Sequence, residues 1–191
     1  MSSRLGGVPL AQTIVDTLVE EVALQSKSLH KEADKGTIDA IAIAALKFTI
    51  LRATAGKNIN FDPETSLSFE GDSGPYLQYT AVRANSILQK AKEVQLNPNA
   101  NIPSGWITTN LERMISRFPD VVTVSINEWA PHHVVGYLVE LGQLFNSWYA
   151  TGKIIDETDE ASSYKLALVE SFLKTMKNGL YLLGIEVPEK M

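Results

Sequence analysis

Apolar residues recur along the chain every three or four positions, the spacing that places them on one face of an α-helix. The clearest segment begins at Gly74-Pro75, where a proline suits the first helical position and Asp72 and Ser73 offer capping oxygens. Its apolar positions are Leu77, Ala81, Ala84, Leu88 and Ala91. We therefore predict a central helix that packs through this apolar seam.

Most of the remaining chain has the same helical period or is apolar on nearly all sides. The predicted helices run from Pro9 towards Ser28, from Thr37 to about Ala53, from Trp106 to about Phe118, from Pro119 to Trp129, from Pro131 to Tyr149, and from Ser162 or Ser163 onward. A short helical turn is expected at Pro63, and only residues 58–62 are expected to be extended. The predicted fold class is all-α, a helical bundle.

A second face of the central helix carries Tyr76, Tyr79, Arg83 and Lys90, about a third of a turn from the seam. The tyrosine rings can lie at the margin of the core, with the two cations as ordinary surface charges. Alternatively, the rings can stack on unpaired bases while the cations hold a nucleic-acid backbone. Spacing alone does not distinguish these two interpretations.

Composition restricts the function classes. The 191 residues are 45% hydrophobic, enough for a substantial core, and the chain has no cysteine, which excludes disulfides, thiolate metal sites and cysteine nucleophiles. Neither a signal peptide nor a membrane-spanning segment is predicted, so we expect a cytoplasmic protein. The net charge of −5 disfavours a general nucleic-acid binder, and any RNA contact is expected to be local.

The chain shows no recognisable catalytic constellation. A glycine-rich phosphate loop, a Ser/His/Asp set and a carboxylate-rich metal motif are all missing from the sequence. His132 and His133 are adjacent, and neighbouring helical residues point about 100° apart, so they cannot chelate one metal ion. We expect no metal site and no catalytic residue.

Several strings, however, resemble arginyl-tRNA synthetases. The strongest are GPYLQYTAVR after NINFDPETSLSFEGDS, followed in the family's order by RFPDVV, PHHVVGYLVELGQLFNSWY and the terminal LGIEVPEKM, with MSSRLGGV as a weaker match at the start. Two positions depart from the family: Ala44 to Lys47 read Ala-Ala-Leu-Lys where Asp-Ala-Leu-Arg is typical, and Leu5 stands where lysine is common. The resemblance spans nearly the whole chain.

The resemblance implies the C-terminal part of such an enzyme. Residues 1–36 would then be a degenerate Lys-Met-Ser-Lys-Ser-like loop with a connecting helix, and residues 37–191 a helical anticodon-binding domain. Met1, Ser2, Ser3 and Arg4 would belong to the ATP loop. The residues implied to bind the anticodon of arginine tRNA are Tyr76, Tyr79, Arg83, Trp148, Tyr149 and Met191.

The family joins arginine to its tRNA using ATP with magnesium, and the resemblance places that chemistry in a missing N-terminal catalytic domain. The chain alone is then expected to be inactive, to bind no cofactor and to be monomeric. The alternative is a helical protein-interaction module that docks a partner through the Tyr76/Tyr79 face. Trp148 and Tyr149 can also be read as plain core residues. The cysteinyl enzyme lacks the PYLQY and PEKM strings and fits less well.

Overall fold

The computed structural model describes residues 11–28 and 33–191, and within these ranges the chain forms eight α-helices and no strand. The helices are α1 (Ala11–Ser28), α2 (Lys35–Leu51), α3 (Pro63–Ser66), α4 (Gly74–Glu93), α5 (Asn110–Ser116), α6 (Phe118–Asn127), α7 (His132–Tyr149) and α8 (Ser162–Leu182). The predicted all-α fold class is confirmed.

The starts of α2 and α4 follow local capping chemistry. Asp34 accepts a hydrogen bond from the Thr37 amide at 3.1 Å and begins α2. Ser73 accepts one from the Tyr76 amide at 3.0 Å and begins α4, with Pro75 inside the first turn as the sequence predicted. These side chains satisfy amides that have no partner within the helix.

The helix predicted from Trp106 begins later, at Asn110. Thr109 and Glu112 form a capping box in which each side chain bonds the other residue's backbone amide, and this fixes the helix start. Trp106 lies before the helix, and its indole Nε1 donates to Glu112 at 3.2 Å. The predicted helix from Trp106 to about Phe118 is thus too long at its start, because the capping box sets the boundary.

Helix α4 is the centre of the bundle and packs against α2, α7 and α8. Leu77, Ala81 and Ala84 of its seam are fully buried, as predicted. Burial extends beyond the seam to Gln78 and Thr80, both 0% exposed, because α4 has neighbours on several sides: α2, α7 and α8. Gln78 lies on the side next to α2, where it donates to the Ala40 carbonyl. Some polar side chains of α4 are therefore buried, whereas a helix with one buried and one exposed face would leave its polar side chains exposed.

Two apolar clusters make up the core. The larger one joins α4, α5, α7 and α8 with Ala44 and Phe48 of α2. In it, Phe145 of α7 stacks on Phe172 of α8 at 3.9 Å between ring centroids. The smaller one joins α1 and α2 to Leu67 and to Met191 at the end of the chain. Burial of such side chains is the main source of stability in a helical bundle.

Glu112 connects the segment before α5 to α8. Its carboxylate accepts hydrogen bonds from the Thr109 amide at 2.6 Å, from Trp106 Nε1 at 3.2 Å and from the Tyr164 hydroxyl at 2.7 Å. Burial disfavours the charged form of Glu112, but these hydrogen bonds together outweigh it and hold its pKa below the usual value. Burial and donation to Glu112 raise the pKa of Tyr164 to about 12.

No helix in residues 11–28 and 33–191 is long and apolar enough to cross a membrane.

We expect Gly74→Ala to lower the free energy of unfolding by about 1–3 kcal/mol, the usual cost of overpacking. A Cβ at Gly74 would lie 2.6 Å from the Ala44 carbonyl carbon, so α2 and α4 would have to separate. The matched control is Gly136→Ala in α7, where a Cβ meets nothing within 4 Å and helix propensity should add about 0.5–1 kcal/mol of stability. Urea unfolding of both variants measures the difference, and equal stability of the two would contradict the close contact.

We expect Glu112→Gln to lower the free energy of unfolding at pH 7 by about 1 kcal/mol, because charged acceptors make the stronger hydrogen bonds. The pKa of Glu112 is lower in the folded state than in the unfolded state. The stability that its carboxylate provides is therefore fully present above the unfolded-state pKa of about 4.3, and it is lost as the pH falls through the folded-state pKa. Wild type and variant should therefore converge in acid. Denaturant unfolding from pH 7 to pH 3 tests this, with exposed Glu93→Gln as the control; a gap between wild type and Glu112→Gln that does not narrow would contradict it.

Candidate nucleic-acid interface

Helices α4 and α7 bring four polar side chains into one hydrogen-bonded network. Asn146 of α7 donates from Nδ2 to the Tyr76 hydroxyl at 2.9 Å and accepts at Oδ1 from Arg83 Nη1 at 2.9 Å. Arg83 also donates from Nη2 to the Tyr79 hydroxyl at 3.2 Å. We refer to Tyr76, Asn146, Arg83 and Tyr79 as the α4/α7 network. All four are half-buried, which limits their movement.

The guanidinium of Arg83 lies between two aromatic rings. Its Cζ is 4.9 Å from the ring centroid of Tyr79 and 5.9 Å from that of Tyr149, both within the range of a cation–π contact. Tyr149, at the end of α7, is 40% exposed and lies parallel to the ring of Phe145 at 6.3 Å. The structure thus brings Tyr149, at the end of α7, next to Tyr76, Tyr79 and Arg83 of α4, which are distant from it in the sequence.

An open groove of about 490 Å³ lies beside Arg83, between α4 and the segment that follows α7. We call it the cationic groove. Its polar lining includes Arg83, Lys90 and Lys153, and its other lining residues are Ser86, Ile87, Tyr149, Ala150, Gly152, Ile154 and Ile155. The groove therefore combines three cations with one partly exposed aromatic ring and an apolar wall.

A second, smaller cavity of about 260 Å³ lies beside Tyr79, against α1 and α2. Phe69, Tyr79 and Met191 are among its lining residues, and the rings of Phe69 and Tyr79 meet edge to face at 6.3 Å. Met191 therefore shares a cavity with Tyr79 and packs against the α1/α2 cluster. The lining of this cavity is mostly apolar, which suits a flat ring more than a charged group.

The position of Met191 depends on the terminal segment, residues 183–191, which two side chains hold in place. Gln78 Nε2 donates to the carbonyl of Glu186 at 2.6 Å and to that of Ala40 at 3.1 Å. Lys47 Nζ donates to the carbonyl of Gly184, a residue with φ of +66°. The chain terminus is thereby attached to α2 and α4, next to the α4/α7 network.

Two groups of sequence-predicted site residues do not join this arrangement. Trp148 packs half-buried against the core, with its ring 6.2 Å from that of Phe145, and lines neither the cationic groove nor the Met191 cavity. Met1, Ser2, Ser3 and Arg4 lie outside the described residues.

Sequence reasoning missed Asn146, whose side-chain amide bridges Tyr76 and Arg83 of α4. It lies three residues before Tyr149 on α7, and no local motif marks it, because its partners are 63 and 70 residues away. Only the packing of α4 against α7 gives it a role.

A larger surface depression of about 660 Å³ lies between α2 and residues 58–72. No aromatic ring lines it among the described residues, and its one cation, Arg52, donates to the carbonyl of Asp72 at 3.3 Å. No group of three or more His, Asp or Glu in residues 11–28 and 33–191 has metal-binding geometry. We therefore place the candidate site at the α4/α7 network, with its aromatic rings and cations.

Comparison with known protein families identifies the fold. Residues 77–191, more than half of the chain, match the model of the DALR anticodon binding domain. The whole chain is 33% identical over 199 residues to the arginine–tRNA ligase of Ligilactobacillus salivarius and 32% identical over 195 residues to that of Alkaliphilus metalliredigens. It spans about a third of the length of these curated relatives, 34% in each case.

Solved structures give the same result. The Thermus thermophilus arginyl-tRNA synthetase superposes with a TM-score of 0.81 at 28% identity, over 98% of this chain and 33% of that one. The arginyl-tRNA synthetase of Plasmodium falciparum superposes with a TM-score of 0.78 over 97% of this chain and 34% of that one; at 21% identity this supports the fold alone. The resemblance found in the sequence is confirmed.

We expect Asn146→Leu to lower the free energy of unfolding by about 1 kcal/mol, because Arg83 and Tyr76 lose a shared partner at a half-buried position. Asn146→Asp is the matched variant: a carboxylate still accepts from Arg83, and the Tyr76 hydroxyl can turn to donate to it. Denaturant unfolding of both variants checks this. An Asp variant as unstable as the Leu variant would contradict the role given to the network.

Proposed function

This chain belongs to the DALR anticodon-binding domain family, and on that premise we propose that it recognises the anticodon of an arginine tRNA as the C-terminal part of an arginine–tRNA ligase. The observation that carries the proposal is the position of Arg83 between the rings of Tyr79 and Tyr149. This combination of a fixed cation and a partly exposed ring suits an unstacked base.

Each part of the site has a distinct task in this proposal. Tyr149 offers its exposed ring to the face of a flipped base, while Arg83, held by Asn146 and Tyr79, is fixed in advance. The smaller cavity beside Tyr79 and Met191 takes a second ring. Trp148 stays in the proposal only as a support for the end of α7, through its contact with Phe145.

The attachment of arginine to tRNA is assigned in this proposal to the part of the enzyme outside this chain, which uses ATP with magnesium. The curated relatives are about three times as long as this chain, which leaves room for a catalytic region. The chain alone is then expected to be inactive, and a monomeric, cytoplasmic enzyme is expected. The domain boundary at residues 36 and 37 and the role of Met1 to Arg4 in the ATP loop stay predictions.

The alternative from the sequence, docking of a protein partner through the Tyr76/Tyr79 face, gains no specific support. Both side chains are half-buried, and the Tyr76 hydroxyl accepts a hydrogen bond from Asn146. A docking surface needs a contiguous exposed apolar patch, and these two side chains do not form one.

We expect Tyr149→Ala to weaken binding of an arginine anticodon stem-loop RNA by roughly 1–3 kcal/mol, about 5- to 150-fold, because a base loses its stacking partner. Tyr149→Phe keeps the ring and should bind like the wild type. The control is Tyr181→Ala in α8, a tyrosine that is 81% exposed and far from the network in sequence. Fluorescence anisotropy with a labelled stem-loop measures the affinities.

Two results would count against this proposal. One is equal affinity of the wild type and Tyr149→Ala for the arginine stem-loop. The other is equal affinity of the wild type for this stem-loop and for one whose anticodon bases are replaced, since recognition of the anticodon requires a difference between them.

A further inference from the structure

We propose that the cationic groove binds a phosphate of the RNA backbone through Lys90 and Lys153. This inference rests on the proposed function and deepens it, since it names which part of the RNA lies beyond the base on Tyr149. The cations of the groove suit a phosphate group. Because the aromatic ring of Tyr149 lies beside them, we assign this phosphate to an RNA backbone.

The first support is the sign of the charges. Three cations line the groove, Arg83, Lys90 and Lys153, and none of its described lining residues is acidic. The chain as a whole carries 22 acidic and 17 basic residues, so this local excess of cations runs against the overall balance. A groove lined by charges of one sign concentrates ions of the opposite charge.

The second support is that the two lysines remain available. In the part of the chain that the structure describes, neither Lys90 nor Lys153 forms a salt bridge, whereas Lys165 nearby pairs with Asp159 at 2.6 Å. Arg83 differs, because Asn146 and Tyr79 already take two of its N–H groups. Lys90 and Lys153 are both exposed and can reach a phosphate as mobile point charges.

One acid beside the groove segment, Asp156, makes its hydrogen bonds outside the groove. Asp156 follows the groove segment, and its Oδ1 accepts from the amide and the hydroxyl of Thr158 at 3.0 and 2.7 Å. These hydrogen bonds, and next to them the charge of Lys153, hold the pKa of Asp156 below its usual value. Its carboxylate is thus bound to Thr158 and does not line the groove.

The third support is the shape of the groove. Tyr149 lines it together with Lys90 and Lys153, so a base stacked on the exposed ring has its sugar and phosphate beside the lysines. Gly152 has no side chain, and a Cβ there would meet nothing within 4 Å, which leaves the path of a backbone open. The apolar wall includes Ile87 and Ile155, against which a ribose can pack.

The test measures the salt dependence of binding to the arginine anticodon stem-loop for the full 191-residue chain. Lys90→Gln and Lys153→Gln should each lower the affinity several-fold and reduce the slope of log affinity against log salt by about 0.7, the value for one single-stranded phosphate contact. Lys174→Gln on the exposed side of α8 removes the same charge away from the groove and should leave the slope unchanged. Thermal unfolding confirms that all three variants are folded.

A second measurement locates the phosphate. Single methylphosphonate substitutions along the RNA loop remove one phosphate charge at a time. Substitution at one position should weaken RNA binding by the wild type but not by a Lys90→Gln/Lys153→Gln double variant. Inorganic phosphate, at ionic strength matched with chloride, should displace the RNA no better than chloride does. Stronger displacement by phosphate would indicate a free-anion site and overturn the assignment to RNA.

The outcomes separate this inference from the proposed function. If Lys90→Gln and Lys153→Gln change the slope no more than Lys174→Gln while Tyr149→Ala still weakens binding, the phosphate site is wrong and anticodon recognition stands. If the wild type itself does not distinguish the arginine stem-loop from one with replaced anticodon bases, both fail.

Discussion

Helix α4 can lie at the centre of the bundle because its first residue has no side chain. At Gly74 the backbones of α2 and α4 approach so closely that a Cβ would collide with the Ala44 carbonyl group. This approach buries Gln78, whose amide then connects α2 to the terminal segment. The same helix presents Tyr76, Tyr79 and Arg83 to α7. The site therefore depends on how tightly α4 fits between its neighbours.

In the proposed function, the α4/α7 network and the cationic groove would contact RNA in physically different ways. Arg83 is held by two hydrogen bonds and by the faces of two rings, so little conformational entropy remains to be lost when a base arrives. Lys90 and Lys153 are exposed and mobile, which suits a phosphate whose position varies. A rigid centre with mobile cations at its edge favours selection of bases over general attraction to RNA.

The overall charge supports the same division. Because the chain has a net charge of −5, its surface as a whole repels a polyanion such as RNA. The proposed RNA binding would therefore depend on the few places where cations gather. In the candidate site these cations lie next to Tyr149, the ring that is most accessible. For the anticodon recognition proposed above, weak attraction of RNA elsewhere on the surface would favour selectivity.

The sequence by itself determined the helices, the class of fold and the family, because these follow from local periodicity, capping residues and strings such as GPYLQY. It also named Tyr76, Tyr79, Arg83 and Tyr149, through the family resemblance. Only the tertiary structure decided how these residues meet. Asn146 has no local signal, and Trp148 turns into the core. Such features depend on contacts between helices distant in sequence, or on side-chain geometry, and the pattern of apolar positions encodes neither.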